Sequence, residues 1–211
     1  MSWLRRGLAA CRVSIRGAFT RHLDRTLLIV ASLALAATFL NPVATVDRAL
    51  FDQVIVLDIT QSMNVTDYQL EGKPVSRLSY AKHALRQLLL ELPCGSKVGW
   101  GVFTEYRSFL LIAPIEVCEN LTELRSTLDN IDGRMAWTGN SEVAKKLFSG
   151  IGIARQLPDK PSLVFVTDGH ESPPVNPQHR PVFNDKPGVV QGLIVGVGGL
   201  RPFPIPKLDP L

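Results

Sequence analysis

The sequence predicts an α/β fold: a doubly wound, mostly parallel sheet with one antiparallel edge strand, preceded by a single transmembrane helix. Three observations predict it. Three continuous apolar runs, "QVIVLD" (53–58), "SLVFVTD" (162–168) and "VVQGLIVG" (189–196), read as strands buried on both faces. Helical patterns stand between the first two, as the crossovers of a parallel sheet require. Residues 26–46, "TLLIVASLALAATFLNPVATV", carry no charge over 21 positions.

The chain opens with a tail, 1–25, that holds six arginines (5, 6, 12, 16, 21 and 25) against the single acid Asp24. The remaining 17 bases and 18 acids nearly cancel. The pI of about 9.1 therefore comes from one tail and gives no reason to expect nucleic acid. About 20 apolar residues cross a bilayer, which makes 26–46 a membrane helix or signal anchor. A buried core helix would show an amphipathic stripe, and this run shows none; Pro42 would also interrupt it late. A cleaved signal peptide is the alternative, although 25 residues is a long leading region and no clean A-x-A site follows. Arginine-rich flanks stay in the cytoplasm. The expected location is thus the inner membrane of a bacterial cell, single-pass, with the rest of the chain periplasmic.

Residues 47–52 read as a linker and 53–211 as one domain. After the first strand and a polar loop, "SRLSYAKHALRQLLLEL" places Leu78, Ala81, Leu85, Leu88, Leu89 and Leu92 on one helical face, and Pro93 ends it. "KVGWGVFT" and "SFLLIAPI" read as a hairpin turning at Glu105, Tyr106 and Arg107. A short helix is expected over 121–128, with Asn120 and Glu123 spaced as a capping box. A longer helix is expected over 141–156, carried by Val143, Ala144, Leu147, Phe148, Ile151 and Ala154. Residues 169–187 hold five prolines and connect two parallel strands where a helix is usual.

The first strand ends in Asp58, and Thr60 and Ser62 follow at alternate positions. Asp168 ends a second strand. In a doubly wound sheet, ligands gather beyond the carboxyl ends of the strands. A carboxylate, two hydroxyls and water form a hard oxygen site, suited to Mg²⁺, Ca²⁺ or Mn²⁺. The plainer reading is that Asp58 accepts hydrogen bonds from loop amides and the hydroxyls make turns.

"DITQS" resembles the DxSxS signature of von Willebrand factor A domains, with Thr60 in place of the first serine. Thr138 of "AWTGNSEVAKKL" and Asp168 of "VFVTDGHES" match the family's loop threonine and turn aspartate, in the same order. The resemblance spans about 52–200. It implies a divalent cation, Mg²⁺ or Ca²⁺, ligated directly by Thr60, Ser62 and Thr138, with Asp58 and Asp168 acting through water. A partner protein would complete the ion with a carboxylate. "LDITQSMNV", "GVFTEYRS", "AWTGNSEVA" and "VFVTDGHES" further resemble a bacterial membrane-anchored subgroup linked to methanol oxidation. That resemblance implies an accessory factor in maturation or calcium loading of periplasmic methanol dehydrogenase, which makes the dehydrogenase or another maturation factor the expected partner. The final "RPFPIPKLDPL" looks like the start of a segment that the family continues, so the last strand and helix of the usual domain are expected to be missing.

Two other classes stand beside this non-enzymatic reading. A magnesium-dependent phosphatase of the haloacid dehalogenase type would need a second aspartate where Thr60 stands, so its usual acid/base is absent. A structural membrane protein with a vestigial metal site is the other. Ser141 in "GNSEV" fails the GxSxG pattern and reads as a helix-cap hydroxyl. His83 and His179 have no partner at ligand spacing, while His170 and Glu171 are candidates for the site rim or for an ordinary solvated loop.

Of the three cysteines, Cys11 lies in the tail, whereas Cys94 and Cys118 flank the hairpin. Opposed residues of an antiparallel pair share a constant index sum, which is 212 for a turn centred on Tyr106. Cys94 and Cys118 share that sum, which places them within disulfide reach.

Overall fold

The computed structural model describes residues 22–39, 47–136, 140–178, 182–183 and 185–206. Two compact units divide the chain, 1–47 and 48–211. In the first, residues 22–38 form helix α1, whose side chains are exposed. Among the described residues no helix is long and apolar enough to cross a membrane. Helix α1 covers the leading part of the expected span, and 40–46 lie outside the described residues.

The second unit is built on a five-stranded sheet. Strand β1 (Asp52–Asp58) lies at its centre, flanked by β4 (Lys97–Thr104) and β6 (Ser162–Thr167), and both pairings are parallel. Strand β5 (Arg107–Glu116) pairs antiparallel with β4 at one edge, and β7 (Gly192–Gly196) pairs parallel with β6 at the other. The order is β5-β4-β1-β6-β7. Alternation along β1 feeds two cores. Ile55 and Leu57 point to one face, beneath helices α2 (Arg77–Glu91) and α3 (Leu121–Asn130), and Val54 and Val56 point to the other, beneath α4 (Val143–Gln156). All four are fully buried. Each such side chain stabilises the fold by roughly 1.5–3 kcal/mol. Trp100 of β4 is also fully buried, and its Nε1 donates to Leu124 O at 2.9 Å, which anchors α3 to the sheet.

Local signals explain most of the boundaries. Ser76 caps α2 by accepting from Ser79 N. The capping box expected at α3 does not form: Asn120 makes no side-chain cap bond, and its Nδ2 donates instead to Glu116 O. A small hairpin, β2 (Tyr68–Leu70) with β3 (Lys73–Val75), occupies the loop expected to be irregular. Its turn residues Glu71 and Gly72 both have left-handed backbones (φ 52° and 76°), the geometry that closes a two-residue hairpin.

The β4–β5 turn is Glu105–Tyr106, closed by Thr104 opposite Arg107, so its centre is half a residue from the expected one. Two register shifts between Val98 and Gly101 then carry the pairing to Lys97 opposite Glu116. Gly101 has no room for a side chain there, since a Cβ would lie 2.9 Å from Phe109 O. Cys94 and Cys118 do form a disulfide, with Cα atoms 5.3 Å apart. The expected pairing holds, although they lie beyond the ladder's last pair and the index sum is not constant along it.

Strand β7 forms as expected but is not buried on both faces, because it is the end strand of the sheet. It is exposed along its whole length, with Leu193 and Ile194 60% and 59% accessible on opposite faces. A groove of about 560 Å³ runs beside it on the α2 side, lined by Tyr80, Ala84, Leu88, Val164 and Val195. A second of about 200 Å³ lies on the α4 side.

Candidate metal centre

Asp58 ends β1 in the middle of the sheet and is fully buried. Its Oδ1 accepts from Thr60 N at 2.9 Å and from Thr60 Oγ1 at 2.6 Å, and its Oδ2 accepts from Thr167 Oγ1 at 2.7 Å. Desolvation pushes its carboxyl up to about 6, against the hydrogen bonds from Thr60 and Thr167 that lower it. The chain then turns into a short 3-10 helix, Gln61–Asn64, that places Ser62 Oγ 3.3 Å from Thr60 Oγ1. Thr60 donates its hydroxyl hydrogen bond to Asp58, so its lone pairs remain for another electrophile. Thr60 and Ser62 together line a cavity of about 250 Å³, shared with Gln61, Ser141, His170 and Ser172. Neutral hydroxyls backed by a buried carboxylate are hard oxygen donors, and they fit Mg²⁺ or Ca²⁺.

Asp168, immediately beyond β6, is held by an ion pair that the sequence does not announce. Its Oδ2 accepts from Arg77 Nη1 at 2.8 Å and its Oδ1 from His170 N at 3.0 Å. Arg77 also binds Asp67 through Nε and Nη2, and this guanidinium holds the Asp67 carboxyl below its ordinary range. Both carboxylate side chains are only 1% exposed. Thr138 lies outside the described residues.

Several neighbours depart from the sequence reading. Ser141 does not cap a helix. It forms a two-bond backbone bridge with Ser172 (2.7 and 2.8 Å), and α4 starts at Val143, whose N–H is accepted by Glu171 Oε2 at 2.7 Å. His170 lines the cavity, His83 is exposed, and His179 lies outside the described residues. Two residues escape the sequence reading altogether. Thr167 is the hydroxyl that completes the Asp58 shell; its signal is the position before Asp168 in "VTDG". Lys146 is the larger omission. It is fully buried, with Nζ 3.1 Å from Ser141 Oγ and 4.4 Å from the Phe103 ring centroid. Its signal is the spacing of Lys146, Gly150 and Ala154, the buried stripe of α4.

Residues 53–170 match the family model described as von Willebrand factor type A domain. The chain belongs to this family. Von Willebrand factor type A domains are in general protein-interaction modules rather than enzymes, and they commonly bind a divalent cation. The chain is similar to the crystal structure of an aerotolerance-related membrane protein from Bacteroides fragilis, with a TM-score of 0.54 and 22% identity over 76% of this chain and 74% of that one. This likeness shows the fold. The likeness to a PilB minor pilin from Streptococcus sanguinis is weaker (TM-score 0.45, 15% identity, 60% and 31% of the two chains). No curated protein matches the chain.

Proposed function

We propose that this von Willebrand factor A chain is a membrane-anchored, periplasmic, metal-dependent protein-binding module. In this reading Thr60, Ser62 and Thr138 ligate Mg²⁺ or Ca²⁺ directly, and Asp58 and Asp168 act through water. The observation that carries it is the Asp58–Thr60–Ser62 cluster, a buried carboxylate that holds the Thr60 hydroxyl beside Ser62 Oγ, with both hydroxyl residues lining one cavity. A bound cation would supply an electrophilic position for a partner's carboxylate. Asp58 accepts the Thr60 hydroxyl hydrogen bond, which leaves the hydroxyl lone pairs for an ion, while Arg77 fixes Asp168 on the turn after β6.

The partner class is a protein that presents an acidic side chain. The subgroup resemblance makes periplasmic methanol dehydrogenase, or a factor that loads its calcium, the first partner to test. Affinity capture from native membranes, with and without EDTA, tests the reading. Capture should be lost in EDTA, restored by Mg²⁺ or Ca²⁺, and absent in Asp58→Ala. Equal capture under all three conditions would overturn it.

A further inference from the structure

A cation site built on Asp58 already has a cation beneath it. Lys146 reaches inward from the first turns of α4 and has no exposed surface. Among the described residues its Nζ has one hydrogen-bond partner, Ser141 Oγ, and it also stands over the Phe103 ring. Phe103 is the residue opposite Asp58 in the β1–β4 ladder, and Ser141 lines the same cavity as Thr60 and Ser62. The ammonium thus lies beneath the cavity, against the strand position beside Asp58.

A buried ammonium is costly unless charge nearby repays it. None of the described carboxylates forms an ion pair with Lys146. The compensation comes through space from Asp58 foremost, then from Glu171, Glu142 and Asp168. Burial lowers the Lys146 ammonium to about 8, which leaves it mostly charged at neutral pH. The lysine therefore supplies to the Asp58 carboxylate part of the positive field that a divalent ion would supply.

We infer that Lys146 sets the affinity of the cation site: its charge holds the Asp58 cluster together without a metal and weakens the affinity for a divalent ion. The inference rests on the metal-dependent reading above. Like charges in a weakly screened interior repel strongly, so removing one should be visible in affinity directly. The predicted consequence is a site that exchanges its ion readily and keeps its fold when the ion leaves.

Calorimetric titration of the full chain with Mg²⁺, Ca²⁺ and Mn²⁺, together with thermal melts, tests this. Lys146→Met should bind at least about tenfold more tightly than wild type, whereas Lys146→Arg should bind like wild type. In EDTA, wild type should melt at the same temperature as with metal to within a few degrees, and Lys146→Met should melt much lower and recover when metal is added. If Lys146→Met is unfolded without metal, refolding by Mg²⁺ or Ca²⁺ supports the inference, and failure to refold overturns it. Wild-type binding that Lys146→Met leaves unchanged or weaker overturns the inference alone. Absence of binding in every variant overturns the metal reading with it. Binding by Lys146→Met but not by wild type would support the inference in its strongest form.

Discussion

Arg77 Nη1 donates to Asp168 Oδ2 across 2.8 Å, and the same guanidinium forks onto Asp67. One cation from the start of α2 therefore bridges two carboxylates, one of them carried on the turn after β6, and the trio keeps an excess negative charge. Removal of Arg77 would leave two nearly inaccessible carboxylates without a counter-charge. Arg77→Leu is expected to cost about 3 kcal/mol in urea unfolding at pH 7. Asp67 has a depressed carboxyl in the fold, so its contribution is present above its ordinary value of 3.8 and is lost as pH falls through the folded value. The gap between wild type and variant should accordingly narrow below about pH 4. A gap that stays constant to pH 2 would show that the pair contributes no charge-dependent stability.

Asp58 has the opposite sign. Its carboxyl titrates near 6 in the fold and near 3.8 when unfolded, so the folded chain binds the extra proton between these values. Metal-free protein should lose stability as pH rises from about 4 to 6 and then level off. Asp58→Asn removes this loss. In EDTA the variant should show no such decline between about pH 4 and 6, while its absolute stability also carries the cost of leaving the Lys146 ammonium without its foremost counter-charge. A variant whose stability still falls over that range would show that Asp58 is not the group responsible.

The Cys94–Cys118 bridge closes a loop with a sequence separation of 24 and ties both ends of the β4–β5 hairpin. Loop closure of this length contributes roughly 3 kcal/mol. Cys94→Ser with Cys118→Ser should lower stability by about that amount. Thiol labelling of the denatured, unreduced chain should find one reactive cysteine, Cys11, and three would contradict the bridge.

The arginine-rich tail predicts the orientation of everything after residue 46. A reporter that is active only in the periplasm, fused after Leu211, should be active. Activity of a cytoplasm-only reporter at the same place would reverse the assignment.

The sheet was legible because its central strands are apolar on both faces, and only a covered parallel sheet buries such runs. Asp58, Thr60 and Ser62 were legible for the same reason: polar residues at a buried strand's carboxyl end need an explanation. The ion pair of Asp168 with Arg77 was not, because 91 residues separate them and no local pattern links them. Lys146 was hidden by the habit of placing lysines on the solvent face of a helix. Its neighbours at 143, 147 and 151 are apolar and partly buried, which puts position 146 within the inward arc. The β2–β3 hairpin escaped because three-residue strands carry too little alternation to be read.

The bare edge at β7 has a thermodynamic consequence. Residues 192–196 contain no charge and no proline, the devices that commonly stop an edge strand from recruiting another backbone. Any polypeptide that zips onto this edge, or lodges in the hollows beside it, adds a linkage contribution that grows with the logarithm of its concentration. If such pairing occurs, the apparent stability of the domain depends on concentration. Melting temperatures across a serial dilution would then show a slope, and equal temperatures would show that the edge recruits nothing.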